Sequence, residues 1–285
     1  MIPSIRRSAT ARLVYGLYIA AFFVYLFAPL VVVAVFAFND SRFPSPPWQG
    51  FTLDWFVGDE PGRLGLFHDP ALLRSIGVSL KVAFFVTLLS VSAGTANAFL
   101  LERGRFPGKG VLYVMMLWPL VIPGVILGIS ILLFSSNLAN FIDDRYGIEV
   151  GFLRPGISLV VLGQFAFITS ITTTIVLSRL KKFDFSLEEA ALNLGATRAE
   201  ALATVTLPFL KPAILGAAIV ALLMSFENFN TTLMLVGSES PLTIHMYGMM
   251  REGTTPVVNA VSLLLILGSG LLAALAAIAA SDRTR

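Results

Sequence analysis

Two ionisable side chains stand in stretches that are otherwise apolar: Lys81 in SLKVAFFVTLLSVSAGTANAFLL, and Glu227 in SFENFN. Inside a hydrocarbon-crossing segment such a group costs on the order of 2.5–3.5 kcal/mol, so each must face a bundle interior and find a partner. The chemistry available is charge neutralisation or recognition of a charged solute. Counted from the same end of their segments, Lys81 lies about 9 Å deep and Glu227 about 14 Å, a gap that side-chain length spans if the helices are neighbours. Two readings fit. Either the two neutralise each other, or Lys81 snorkels outward; or Glu227, with Asn228 beside it and Phe226 and Phe229 supplying ring faces for cation–π contact, attracts an amine along a path. Other chemistries lack residues. There is no cysteine, hence no disulfide, thiolate zinc site or thiol nucleophile. No His pair, Ser–His arrangement or metal-ligand cluster occurs within the apolar segments, and His245 and Tyr247 are expected in a loop. Gly104 to Lys109 falls one residue short of GxxxxGK and is followed by Gly110, so no phosphate-binding loop is present.

A second constellation lies in SLEEAALNLGATRAEALATVTLPFLKP, residues 186 to 212. Ser186 with Glu189 three residues later predicts a capping box that starts a helix. Ala190, Ala191 and Leu192 continue it, and Gly195 supplies the backbone freedom for a turn. A second short helix is predicted over 197–204, stopped by Leu207, Pro208 and Pro212 before the next apolar segment. A helix, turn and helix with small apolar residues on one face offers a protein-docking surface; an amphipathic loop lying on the membrane surface has the same pattern.

Long apolar elements position these residues. With 56% hydrophobic and 13% charged side chains over 285 residues, the chain departs from soluble averages of about half apolar and a quarter charged. About 20 apolar residues cross a bilayer as a helix. Six segments qualify, at roughly 13–38, 76–101, 110–134, 156–178, 213–236 and 257–280, which predicts an all-α membrane protein with one transmembrane domain over 1–285 and a cytoplasmic loop at about 179–212. The first segment is too long for a cleavable signal and is expected to remain as a helix. Pro119 and Pro123 interrupt the third and predict a kink. Basic residues set orientation. With the amino terminus inside, the cytoplasmic segments hold thirteen Lys and Arg (Arg6, Arg7, Arg12, Arg103, Arg105, Lys109, Arg179, Lys181, Lys182, Arg198, Lys211, Arg283, Arg285) against six outside (Arg42, Arg63, Arg74, Arg145, Arg154, Arg251), so both termini are expected in the cytoplasm. The formal charge of +3 is accounted for by this topology rather than by nucleic acid. The Pro- and aromatic-rich run FPSPPWQGFTLDWF predicts an ordered surface loop, and 135–155, with Asp143, Asp144 and Glu149, is expected as a second external connection.

Glu189, Ala190 and Ala191, three residues, Gly195, nine more, then Val205, Thr206, Leu207 and Pro208 resemble the signature of ATP-binding-cassette importer permeases. Softer matches in AFNDSRF, the Lys81 segment and SFENFNTTLMLVGSESPLTIHMYGMMREGTTPVVNAVS resemble the spermidine/putrescine type, second membrane subunit. The resemblance implies that Glu189, Ala190, Ala191, Gly195, Leu207 and Pro208 contact an ATPase. It implies a bacterial inner-membrane permease that binds no cofactor itself, ATP and Mg residing in two ATPase subunits, with a second homologous permease and an external substrate-binding protein as further partners. Where polyamine permeases often carry paired Asp, this chain has Glu227 and Asn228. Permeases for aminoethylphosphonate, opines, amino acids or thiamine share much of the pattern. An ion-coupled secondary transporter, with Glu227 carrying a proton, is the reading from a different class.

Overall fold

A computed structural model describes residues 9–44, 46–60, 62–253 and 256–281, with side chains described through 274. Arg6, Arg7, Arg283 and Arg285, counted for orientation, lie outside the described residues. Six described helical runs are long and apolar enough to cross a membrane. By its internal contacts the chain forms two compact units.

The first unit comprises residues up to Pro70 together with Met249–Gly268. Helix α1 (Ala9–Phe36) contains no buried residue. The loop after it is ordered by its own side chains, as its composition predicts. Buried Asn39 accepts from the Trp55 indole at 2.8 Å through its backbone carbonyl and from the Gln49 N–H at 2.8 Å through its side chain. Phe38 stacks on Phe51. Arg63 lies 2.7 Å from Asp40 and 3.1 Å from Asp54. Helix α2 (Asp54–Val57) and a hairpin of β1 (Asp59–Glu60) and β2 (Arg63–Leu64) complete the loop.

The second unit, Ala71–Gly248 with the chain from Ser269, contains the residues singled out above. Helix α3 (Pro70–Arg103) and helix α6 (Ile157–Leu180) approach closely at Gly94, where a Cβ would stand 2.2 Å from the Thr172 hydroxyl oxygen. That hydroxyl donates to the Ser90 carbonyl at 2.6 Å, so a small residue and an interhelical hydrogen bond draw two spans together.

The segment expected as one kinked helix over 110–134 is two helices, α4 (Lys109–Val121) and α5 (Gly124–Tyr146). Pro119 is tolerated inside α4; Pro123 ends it, because the residue before a proline is pushed out of the helical region, and Ile122 is extended (φ −76°, ψ 127°). At 1.5 Å per residue α4 is about 20 Å long, too short to cross a hydrocarbon core of about 30 Å, whereas α5 reaches about 34 Å. Asp143 and Asp144 therefore sit in the last turn of α5, which extends well into the external connection expected over 135–155.

The segment 186–212 folds as two short helices, α7 (Ser186–Asn193) and α8 (Arg198–Ala201), but the caps differ from expectation. Ser186 makes no capping box. Asp184 accepts its N–H at 3.0 Å instead, and the capping box forms at Thr197 with Glu200. The prolines do not stop the second helix either. A π-helical turn (Leu202–Thr206) joins α8 to α9 (Leu207–Phe226) without a break. Pro208 has no N–H for the Thr204 carbonyl, and the wider turn, with the Leu207 N–H donating to the Leu202 carbonyl five residues back, absorbs the missing bond.

The predicted span 213–236 also breaks. Helix α9 ends at Phe226, residues 227–229 are non-regular, and α10 (Asn230–Leu235) follows, packed against α5 and α6. His245 and Tyr247, expected in a loop, lie on α11 (Leu242–Glu252); α12 (Val257–Ser281) is the last described helix.

Candidate functional site

Two helix breaks, at Ile122–Pro123 and at Glu227–Phe229, border one cavity of about 310 Å3. Pro119, Ile122, Gly124, Phe167, Met224, Asn228, Asn230 and Thr231 are among its lining residues. Non-helical backbone at membrane depth is tolerated where it lines a cavity or is covered by protein, and the freed groups are satisfied locally. The Thr231 hydroxyl donates to the Gly124 carbonyl at 3.3 Å, and the Thr243 hydroxyl donates to the Asn228 carbonyl at 3.2 Å.

Behind the cavity runs a buried polar chain that composition alone did not single out. Ser225 donates to the Gln164 side-chain oxygen. The Gln164 amide donates to the Thr232 hydroxyl at 2.8 Å, and that hydroxyl donates to the Asn228 side-chain oxygen at 2.9 Å. The Thr232 backbone N–H donates to the same oxygen at 3.2 Å. A backbone N–H is a donor only, so it fixes which end of the Asn228 amide faces Thr232. Asn228, with its oxygen committed to Thr232, is also one of the residues lining the cavity. The signal in the sequence was Gln164 itself, a fully polar side chain within an apolar span.

Of the other residues proposed for a substrate path, Phe226 is the half-buried last residue of α9. Glu227 is exposed at its C-cap, its N–H donating to the Leu223 carbonyl at 3.1 Å. Lys81 is exposed on α3, and no ion pair joins it to Glu227. Phe229 packs edge-on against Tyr247, ring centroids 5.0 Å apart, rather than standing open beside Glu227.

At the other end of α9, the α7–α8 segment is largely exposed and carries its own backbone turn. Gly195 has φ +96°, a conformation that L side chains resist, and it reverses the chain between α7 and α8. Leu194 is 90% exposed; Leu187 and Leu192 are also exposed, as are Glu189 and Ala190, while Ala191 is half-buried. Leu207 and Pro208 are exposed on the first turn of α9. The carboxylate that turns inward is Glu188, which sequence reasoning passed over in favour of its neighbour. It pairs with Arg103 at the end of α3 and accepts from the Thr206 hydroxyl in the π-helical turn.

No family model matches the chain. It is 30% identical over 254 residues to the putrescine transport system permease protein PotI of Escherichia coli (strain K12), covering 87% of this chain and 84% of that one. The chain belongs to the family of ABC importer permeases that includes this protein. The spermidine/putrescine transport system permease protein PotC of the same organism is 29% identical over 275 residues, 96% of each chain. A solved structure of a bacterial alginate ABC transporter, in complex with an alginate pentasaccharide-bound periplasmic protein, superposes with a TM-score of 0.71 at 19% identity, over 94% of this permease and 92% of that chain. That likeness establishes the fold.

Proposed function

We propose that this permease forms half of the translocation path of an ATP-driven importer for a polyamine such as putrescine or spermidine. The observation that carries the reading is sequence likeness over nearly the whole chain to two polyamine permeases, joined to an exposed α7–α8 pair whose turn depends on Gly195. In this reading α7, α8 and the first turn of α9 seat on an ATPase subunit through Glu189, Ala190, Ala191, Gly195, Leu207 and Pro208. A second homologous permease completes the path, two ATPase subunits bind ATP and Mg, and an external binding protein delivers the solute. The α7–α8 end then faces the cytoplasm of a bacterium, both termini lie on that side, and the chain forms a single permease domain in the inner membrane. The thirteen-to-six distribution of Lys and Arg supports that orientation.

A second solute class is favoured by one observation. The cavity lining contains neutral polar side chains and no carboxylate, which suits a hydrogen-bonding solute at least as well as a dication.

Reconstitution separates the readings. Proteoliposomes holding the complete complex with a loaded binding protein are expected to accumulate putrescine or spermidine only with ATP inside. Uptake by the permease alone would end the importer reading; ATP-dependent uptake of another solute with none of polyamine would end the substrate assignment.

A further inference from the structure

Helix α9 is tied to α7 and α8 by its own backbone, but α3 is not: Arg103 and Glu188 are 85 residues apart in sequence. The Arg103–Glu188 pair is a direct side-chain link between α7 and the end of α3. The contact is built from several directions. The Glu188 carboxylate, whose side chain is 16% exposed, pairs with the Arg103 guanidinium and also accepts from Thr206. Arg103 in turn lies over the rings of Phe99 at 4.9 Å and Phe185 at 5.3 Å. Phe183, beside Phe185, is buried against the same end of the bundle with Leu101 and Leu180. A guanidinium held by a carboxylate and two ring faces has few other positions to adopt.

The far end of α3 is also attached. The helix is 34 residues long, about 50 Å. Near its beginning the Ser79 hydroxyl accepts the buried Leu242 N–H at 2.8 Å, fastening it to the first residue of α11. One turn further out Arg74 pairs with Glu239 at 3.0 Å. One helix thus holds the α7 surface at one end and the start of α11 at the other.

We propose that the Arg103–Glu188 pair is a strut that passes displacement of α7 into α3, and through α3 to the α10–α11 segment at the opposite end. Glu188 and Arg103 are positioning residues, distinct from the exposed Glu189 of the docking face. The proposal rests on α7–α8 being the surface that an ATPase subunit moves.

The test uses the complete reconstituted complex carrying Arg103→Glu, Glu188→Arg, both together, or the milder Glu188→Gln. Three quantities are read: co-purification of the ATPase subunits, ATP hydrolysis, and solute transported per ATP hydrolysed. Each charge reversal is expected to lower transport per ATP about tenfold, within the range that coupling mutations reach, with ATPase subunits still bound. The exchanged pair is expected to recover to within about twofold of the parent, since two reversed charges restore attraction. Glu188→Gln, which keeps a hydrogen-bond acceptor for Thr206, is expected to fall between. Single reversals that leave transport per ATP unchanged would overturn the strut, as would an exchanged pair no better than its parents. Failure of the parent complex to retain its ATPase subunits would overturn the docking reading itself and the strut with it.

Discussion

The side-chain oxygen of Asn228 accepts two hydrogen bonds from a single residue, the backbone N–H of Thr232 at 3.2 Å and its hydroxyl at 2.9 Å. The bond pair closes the gap between the end of α9 and the start of α10. A buried donor deprived of its acceptor costs about 1–3 kcal/mol. Asn228→Ala is therefore expected to destabilise the permease by about that amount, whereas Asn228→Asp, which keeps the acceptor, is expected to cost less. Thermal unfolding in detergent checks it, and equal losses in the two variants would remove Asn228 from the fastening role.

Lys81 and Glu227 are both exposed and are not paired. Groups without a shared contact behave additively to within about 0.5 kcal/mol. Lys81→Met and Glu227→Gln, alone and combined, are expected to give additive changes in stability and in transport. A coupling well above that figure would place the two charges in contact.

At Gly195 the backbone angle of +96° costs an L residue about 1–2 kcal/mol, and more for a β-branched one. Open space surrounds the position, so the penalty is conformational rather than steric. Gly195→Val is expected to insert into the membrane at normal levels and to lose ATPase coupling. Membrane fractionation beside ATP-driven uptake provides the check; full uptake in that variant counts against the docking role.

The Asp184 carboxylate is held below its ordinary value, first by hydrogen bonding from the Ser186 side chain and then from the Ser186 backbone N–H. A carboxyl with a folded value below its unfolded one stabilises above the unfolded value and loses that contribution as pH falls through the folded one. The first turn of α7 is expected to fray in acid below the usual carboxylate range and to be indifferent to pH near neutrality. Hydrogen exchange at Ser186 and Leu187 follows it, and Asp184→Ala is expected to show the acid behaviour at neutral pH. Unchanged exchange in that variant would remove Asp184 as the cap.

The spanning helices and the α7–α8 pair were legible because length, apolar content and the spacing from Glu189 to Pro208 are properties of the chain read in order. Helix ends were less so. Ser186 with Glu189 and Thr197 with Glu200 have the same spacing, and only the backbone geometry before each decides which becomes a cap. Pro119 and Pro123 look alike in sequence; one is absorbed and the other breaks the helix. The break after Phe226 carries neither Pro nor Gly in the run Glu227, Asn228, Phe229 and is set by contacts from Thr232 and Thr243. Glu188 and Glu189 are adjacent and alike, and the partner that distinguishes them, Arg103, is remote in sequence. Gln164, Ser225 and Thr232 form a chain only once three helices are in place.

The π-helical turn at Leu202–Thr206 makes α8 and α9 one unbroken helical run of 29 residues from Arg198 to Phe226. Its two tips are the exposed α8 surface and the edge of the cavity beside Asn228. The cavity edge and the exposed α8 surface are thus joined by continuous helical backbone, with no loop between them. A side-chain truncation along that run leaves the backbone connection intact, whereas a glycine placed in the widened turn weakens it.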